Sequence, residues 1–372
     1  MPPVPTDPIP TASLPTDRRA MLAGIGGLAA GAVMAGRAHA GPLNPPAGPI
    51  ESTGKTLSDV EPRTAINSTN TPGDTDSVYR ISASGSYYLT DNVFASTGKS
   101  AIEIAASNVT IDLNGYSVTS ISALPAIRVS ISGRTNISVR NGHIGPAGTG
   151  GGIDLTPTIG TQTVSGSIEN VHVTGTQGTG IQVGDAFTVI GCTSSKNTKI
   201  GFLVGRGCVI SSSAAFDNGE DGFRTGDGCV VSDSVAAENG FRGVVTSEGC
   251  TVFGCVVRSN REGGILCVYS CLIRDNSCHL NGVFGNNGAG IEATLGLNRI
   301  EGNQCVQGPR GIAVNFPQNF IARNTCVNNT INWDVVPSNI CLVVQAATAG
   351  AIQGNTGGVS PGSSNPNANY TF

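Results

Sequence analysis

The sequence is poor in charge and poorer in aromatic rings. Charged residues make up 12% of the 372 and aromatic residues 5%, with a single Trp. No block of Lys and Arg occurs and the formal net charge is −4, which argues against a nucleic-acid partner. No C-x-x-C pair with a matching second pair is present, and Cys267-x-x-x-Cys271 alone is a poor zinc motif. The apolar run at 23–36 is short and rich in Gly and Ala, so no membrane span is expected once a signal is removed. Helical periodicity is missing too. What remains is 52 glycines separating short runs in which Val, Ile, Ser and Thr alternate, a composition for strands and tight turns.

Those runs repeat. Gly180, Gly201, Gly222, Gly243 and Gly264 open five copies of 21 residues. Cys208, Cys229, Cys250 and Cys271 keep the interval, as do Asn197, Asn218, Asn239, Asn260 and Asn281. A repeat of this length without a helical pattern predicts a solenoid whose coils stack on one another. Longer coils come first: Ile102-Glu103-Ile104, Ile127-Arg128-Val129 and Ile153-Asp154-Leu155 match Ile181-Gln182-Val183, with insertions such as 145–152 between them. Beyond Gly264 the register resumes at Gly290 and Gly311 after an insertion at 283–288. About ten coils, between residues 100 and 332, would stand about 48 Å tall.

The remainder divides by composition. Residues 1–40 read as an export signal, with Arg18-Arg19 in a twin-arginine-like start and Ala38-His39-Ala40 before the cut. The expected location is therefore periplasmic, cell-surface or extracellular. Residues 41–78 read as an extended arm and linker, 79–345 as the solenoid with end caps, and 346–372 as a polar tail. Residues 79–97 are expected to cap the first coil and Trp333 to Val344 the last, because an open edge of stacked strands would pair with another chain.

Each regular coil holds three short strands. In the copy at 222 these are GFRT, CVVSDS and VAAEN, with Phe223 inward and Arg224 outward. Gly191, Ser212, Asp233, Gly254 and Asp275 mark a sharp second bend. The fold expected is all-β, a right-handed parallel β-helix, the hand following from the preference for right-handed crossovers. At this point the sequence resembles the pectate-lyase-like superfamily, in particular bacterial right-handed parallel β-helix repeat proteins. The stretch NVTIDLNGYSV (108–118) is similar to their entry coil, and the resemblance extends over about 80–345. It implies a fold rather than one activity.

Eleven cysteines in an exported chain suggest disulfides. The register argues against them: residues one coil apart have parallel Cα–Cβ vectors, whereas a disulfide needs its arms twisted near 90°. The Cys208 column reads as a buried stack of small apolar thiols, and Cys278, Cys305 and Cys326 as a second. The Asn197 column, rejoined by Asn328, reads as a ladder of side-chain amides.

In the superfamily the sequence resembles, substrate lies along the outer face of one sheet. Here that face carries the column Glu103, Arg128, Asp154, Gln182, Leu203, Arg224, Val245, Leu266, Glu292 and Ala313. Arg128, Asp154, Gln182 and Glu292 are the candidate groove residues. The preceding loops add Glu220, Asp221, Arg242, Glu262 and Arg310. A uronate lyase needs a cation against the substrate carboxylate and a base for the C5 proton. Glu220 and Asp221 would hold Ca²⁺, with Arg224 or Arg242 as base. A glycoside hydrolase needs paired carboxylates, for which Asp221 with Glu262 or Glu248 are the candidates. The competing explanation for the same charges is structural pairing on a solvated surface. The polygalacturonase set (paired Asp, G-H-G, R-x-K) and the D-P-H signature of mannuronan epimerases are absent. His143, His172 and His279 read as structural. Two functions stay open: an exported protein acting on or binding polysaccharide, with a lyase fitting better than a hydrolase, and a non-catalytic envelope or adhesion protein.

Overall fold

The computed structural model describes residues 61–131, 133–156, 165–284, 287–345, 351–354 and 366–371. The export signal expected at 1–40 and most of the arm lie outside the described residues.

Every described coil contributes one strand to a 13-stranded parallel sheet, and its other strands join a 24-stranded sheet. The first sheet runs from Ser77–Ile81 through Ser100–Ile104, Ile127–Val129, Ile153–Leu155 and Ile181–Val183 to Ile331–Val335 and Ala351–Gly354. Thirteen coils therefore replace the ten expected, and at about 4.8 Å each they stand roughly 60 Å tall. The three added coils fall where caps, linker and tail were expected. Ser77–Ile81, Gly85–Leu89 and Val93–Ala95 form a coil in register with the next, and Thr64–Ile66 pairs with Tyr87–Leu89 beneath it. Trp333 lies inside a strand rather than beyond the coils, paired with Ile312 and fully buried, its indole N–H without a partner. In the tail, Ala351–Gly354 pairs with the Trp333 strand, and Asn369–Thr371 enters the large sheet between Thr325–Val327 and Val343–Gln345. These segments break the 21-residue Gly spacing, and their column residues Asn339 and Asn369 stand at other intervals, so the repeat could not reveal them.

The core is a column of apolar side chains: Ile102, Ile127, Ile153, Ile181, Phe202, Phe223, Val244, Ile265, Ile291, Ile312 and Trp333, all buried. Phe202 and Phe223 stack with ring centroids 4.8 Å apart. Strand alternation places each opposite an outward residue. Residues 191, 212, 233, 254 and 275 all sit at left-handed φ, so the second bend is where the sequence placed it.

The glycine column answers a different need. A Cβ on Gly222 would lie 2.7 Å from the Gly243 carbonyl and 2.8 Å from the Asn239 amide nitrogen. The turn closes so tightly on the strand of the next coil that only hydrogen fits. Gly222→Ala should cost about 2–3 kcal/mol through forced backbone displacement, measured as a lower denaturation midpoint with unchanged strand content.

Three side-chain columns link the coils along the axis. In the first, Asn197 receives the backbone N–H and hydroxyl of Thr176, and Asn218, Asn239, Asn260 and Asn281 repeat the pattern. Gly308 takes the next place and Asn329 the one after, bonding Gly308 N–H and Cys305 O. The residue that rejoins the ladder is thus Asn329 and not Asn328, which occupies the preceding left-handed position. The second column runs Cys192, Ser213, Ser234, Cys255, Asn276, Asn303, Asn324, Asn369. The third is Cys208, Cys229, Cys250, Cys271, then Asn298, Asn319, Asn339. All eleven cysteines are free and buried, but the thiols are not merely apolar filler. Cys229 Sγ accepts Cys208 N–H at 3.3 Å and donates to Gly205 O at 3.1 Å. Asn239 makes the same two bonds, to Asn218 N–H and Ala215 O.

Candidate functional site

The outward column of the 13-stranded sheet has the register expected, from Glu103 opposite Arg128 through Asp154, Gln182, Leu203, Arg224, Val245, Leu266 and Glu292 to Ala313. Arg80 precedes it and Asp334 follows. Leu203, Val245 and Leu266 separate charged groups near the two ends.

At the first end, Glu103 is buried. Its carboxylate meets Arg128 Nη2 at 2.6 Å and Arg80 Nε at 3.4 Å. Arg128 also holds Asp76 at 2.6 Å, and Arg80 holds Asp74 at 2.5 Å. The Ser77 hydroxyl and then Arg80 keep the Asp74 carboxyl well below the usual carboxylate range. Asp74, Asp76 and Glu103 are the one group of three potential metal ligands among the described residues; two guanidiniums already balance them. Asp154 accepts from Thr156 N and Oγ1 at 3.0 and 2.5 Å.

In the middle, Asp221, Arg224 and Arg242 do come together. Asp221 is 1% exposed. One oxygen accepts from Arg224 Nε at 2.8 Å and also from Nη2; the other accepts Arg242 N–H at 3.0 Å. A carboxylate so engaged has little left for Ca²⁺, and Glu220 belongs to no three-ligand group among the described residues. The Arg224 guanidinium is committed to Asp221, which does not suit the part of a free base.

The Arg242 side chain points the other way, into a cavity of about 310 Å³ lined by Arg242, Glu262, Asn287, Gly288, Glu292 and Arg310. Arg242 Nη1 lies 3.5 Å from Glu262 and Nη2 lies 3.4 Å from Glu292, two coils away. Arg310 closes the far side, 3.9 Å from Glu292 and 3.1 Å from Asp334, and donates to Asn287 O. Asn315 Nδ2 fixes Glu292 at 3.0 Å. Arg310 Nε is buried without a partner.

The local sequence explains the hollow. Arg242, Gly263, Ala289 and Arg310 occupy one register position on successive coils. Two small residues between two arginines leave the gap, and the insertion after Asn281 carries Asn287 and Gly288 to its rim. Glu292 was recognised in the sequence as a groove residue, and Arg242 as a catalytic one. The grouping with Glu262 and Arg310 was missed, although the Arg-Gly-Ala-Arg column could have revealed it.

Residues 158–281 match the family described as a right handed beta helix region. No curated protein sequence matches the chain. Among solved structures, the fold is similar to the A-module of Azotobacter vinelandii mannuronan C-5 epimerase AlgE4, at 16% identity and a TM-score of 0.53, covering 78% of this chain and 91% of that one. The AlgE6 A-module of the same organism gives 14% and 0.49, with 77% and 90% covered. A variant of the periplasmic alginate epimerase AlgG gives 11% and 0.38, with 82% and 80% covered. At these identities the likeness is one of fold. The chain folds as a right-handed parallel β-helix. Among the described residues, no helix is long and apolar enough to cross a membrane.

Proposed function

We propose that the protein is exported and acts on a uronate-containing polysaccharide laid along the outer face of the 13-stranded sheet, with the Arg242–Arg310 cavity as the reacting end. The observation that carries this reading is the arrangement of two guanidiniums around two carboxylates on a groove floor, beside an insertion loop. Guanidinium groups stay charged and bind carboxylates through paired N–H donors. A uronate carboxylate placed against Arg242 or Arg310 loses its charge penalty, which acidifies the C5 hydrogen beside it. Glu262 is the more accessible acid, its side chain 44% exposed against 18% for Glu292, and it takes the C5 proton. Glu292, held by Asn315 and both arginines, positions Arg242 and Arg310.

The C5 anion has two fates. In the lyase outcome the C4–O bond breaks, the C4=C5 double bond forms and the departing oxygen takes a proton from water or from protonated Glu262; in the other, water reprotonates C5 from the opposite face and inverts it. The lyase outcome is the one proposed here. The A-module with a similar fold belongs to a mannuronan C-5 epimerase, so both products belong in the assay. With mannuronan, alginate and polygalacturonate, Arg242→Ala and Glu262→Gln should each lower product formation about a hundredfold or more with unchanged melting. Formation of unsaturated ends is followed by ultraviolet absorbance, and C5 inversion by NMR. Unaltered rates in both variants, or no product from any polymer, would remove the reading. The second reading, a non-catalytic envelope or adhesion protein, is favoured by the apolar mid-groove of Leu203, Val245 and Leu266. It predicts polymer binding with neither product.

A further inference from the structure

The large sheet carries a feature that the groove does not use. His143 and His172 are register partners on the adjacent parallel strands Ile137–Ile144 and Gly166–Thr174. Both are exposed, both point outward, and their rings stack with centroids 5.4 Å apart and planes 19° from parallel. Their outward neighbours in the column are Ser117 and Thr193, too small to cover them. Neither imidazole has a hydrogen-bond partner among the described residues. His279 differs: its Nε2 lies 2.7 Å from Gln307 Oε1.

We propose that His143 and His172 form a cross-coil binding site for a divalent transition-metal ion of the copper, zinc and nickel class. Neutral imidazole is a preferred ligand for these borderline ions and a poor one for Ca²⁺ or Mg²⁺. Metal–nitrogen bonds of about 2.0–2.1 Å need the two ligating nitrogens roughly 3 Å apart. Exposed rings reach this by tilting their edges together about χ1 and χ2, without backbone movement. Water completes the coordination shell. The parallel register keeps the two side chains on one face at neighbouring heights, so chelation costs little conformational entropy. The metal would clip coils whose linked residues are 29 apart in sequence, in the part of the solenoid that precedes the Asn197 column. There it would supply an axial tie that the later coils obtain from amides and thiols.

The test uses the full chain and the metals alone. Cu²⁺, Zn²⁺ and Ni²⁺ are titrated in competition with a chromophoric chelator, with Ca²⁺ and Mn²⁺ as contrasts. The expected order places Cu²⁺ tightest and Mn²⁺ weakest. His143→Gln and His172→Gln should each weaken the tightest Cu²⁺ site at least tenfold, while His279→Gln leaves it unchanged. Electron paramagnetic resonance of the one-equivalent Cu²⁺ complex should show two ring nitrogens in the wild type and one in either variant. Equal affinities in all four proteins, or a single ring nitrogen in the wild type, would overturn the proposal. Melting without metal separates a lost ligand from a lost fold: the exposed variants should melt within about 1 °C of the wild type, as surface substitutions do.

Discussion

Raising the pH under reducing conditions should unfold this protein cooperatively, from about pH 9.5 to 11. Burial pushes the Cys192 thiol up to about 11 and those of Cys255, Cys267 and Cys341 up to about 12. In the unfolded chain a thiol ionises near 8.5. A group whose folded pKa is raised contributes stability that is complete below the unfolded value and is lost as pH climbs towards the folded one. Each thiol removes about 1.4 kcal/mol per pH unit in that window, so four together remove about 5–6 kcal/mol per unit. Domain stabilities are of the order of 5–15 kcal/mol, so about one to two and a half units above 8.5 suffice. Thiolate absorbance and circular dichroism should change together. Thiolates appearing near 8.5 while the strand signal persists would contradict the burial argument. Cys255→Asn, which copies the residue below it in its column, should move the transition to higher pH.

The second large effect concerns the amide ladder. Asn239→Ala should destabilise the solenoid by about 3 kcal/mol or more. Asn239 Oδ1 accepts from Asn218 N and Nδ2, at 3.2 and 2.9 Å, and its Nδ2 donates to Ala215 O and Asn260 Oδ1, at 3.2 and 2.8 Å. Alanine leaves the Asn218 N–H buried with no partner, at about 1–3 kcal/mol, and strips one bond each from the Asn218 and Asn260 amides and the Ala215 carbonyl, at about 1 kcal/mol apiece. Asn239→Cys should recover much of the loss, because Cys229 makes the equivalent two bonds in the neighbouring column. Urea denaturation of the three proteins decides the matter: a cysteine variant no better than alanine would mean that the thiols only fill space.

Where contacts recur at a fixed interval, the sequence reports them, and Gly222, Cys229 and Asn239 each show their column at a glance. Residues fixed by distant segments escape that signal. Asn369 completes the column of Asn324 across 45 residues, and nothing near Asn369 repeats at 21. The outward register from Glu103 to Glu292 follows from strand alternation alone, so it could be listed in advance. Which charges meet could not: long side chains cross coils, and Arg242 reaches Glu292 over 50 residues. Asp221 looked like a free ligand because sequence gives no sign of burial beside Arg224. The thiols read as apolar in sequence, because a cysteine's weak hydrogen bonds become visible only when the carbonyl and N–H at its side are placed.

The axial columns also have a direction. Links pass from a backbone N–H to the side chain one coil further on, as from Asn197 to Asn218, until the Asn329 N–H closes on Asn332 Oδ1 three residues away. Asn324 N–H ends on Asn369 Oδ1, and Asn369 N–H ends on the Leu342 carbonyl. The second column thus closes on Asn369. Without Asn369–Thr371 the Asn324 N–H would point forward unpaired beside a bare Thr325–Val327 edge, to which another strand could add. The short segment Asn369–Thr371 covers that edge and presents the next one to Val343–Gln345, so it is a strand of the stack and not its stop.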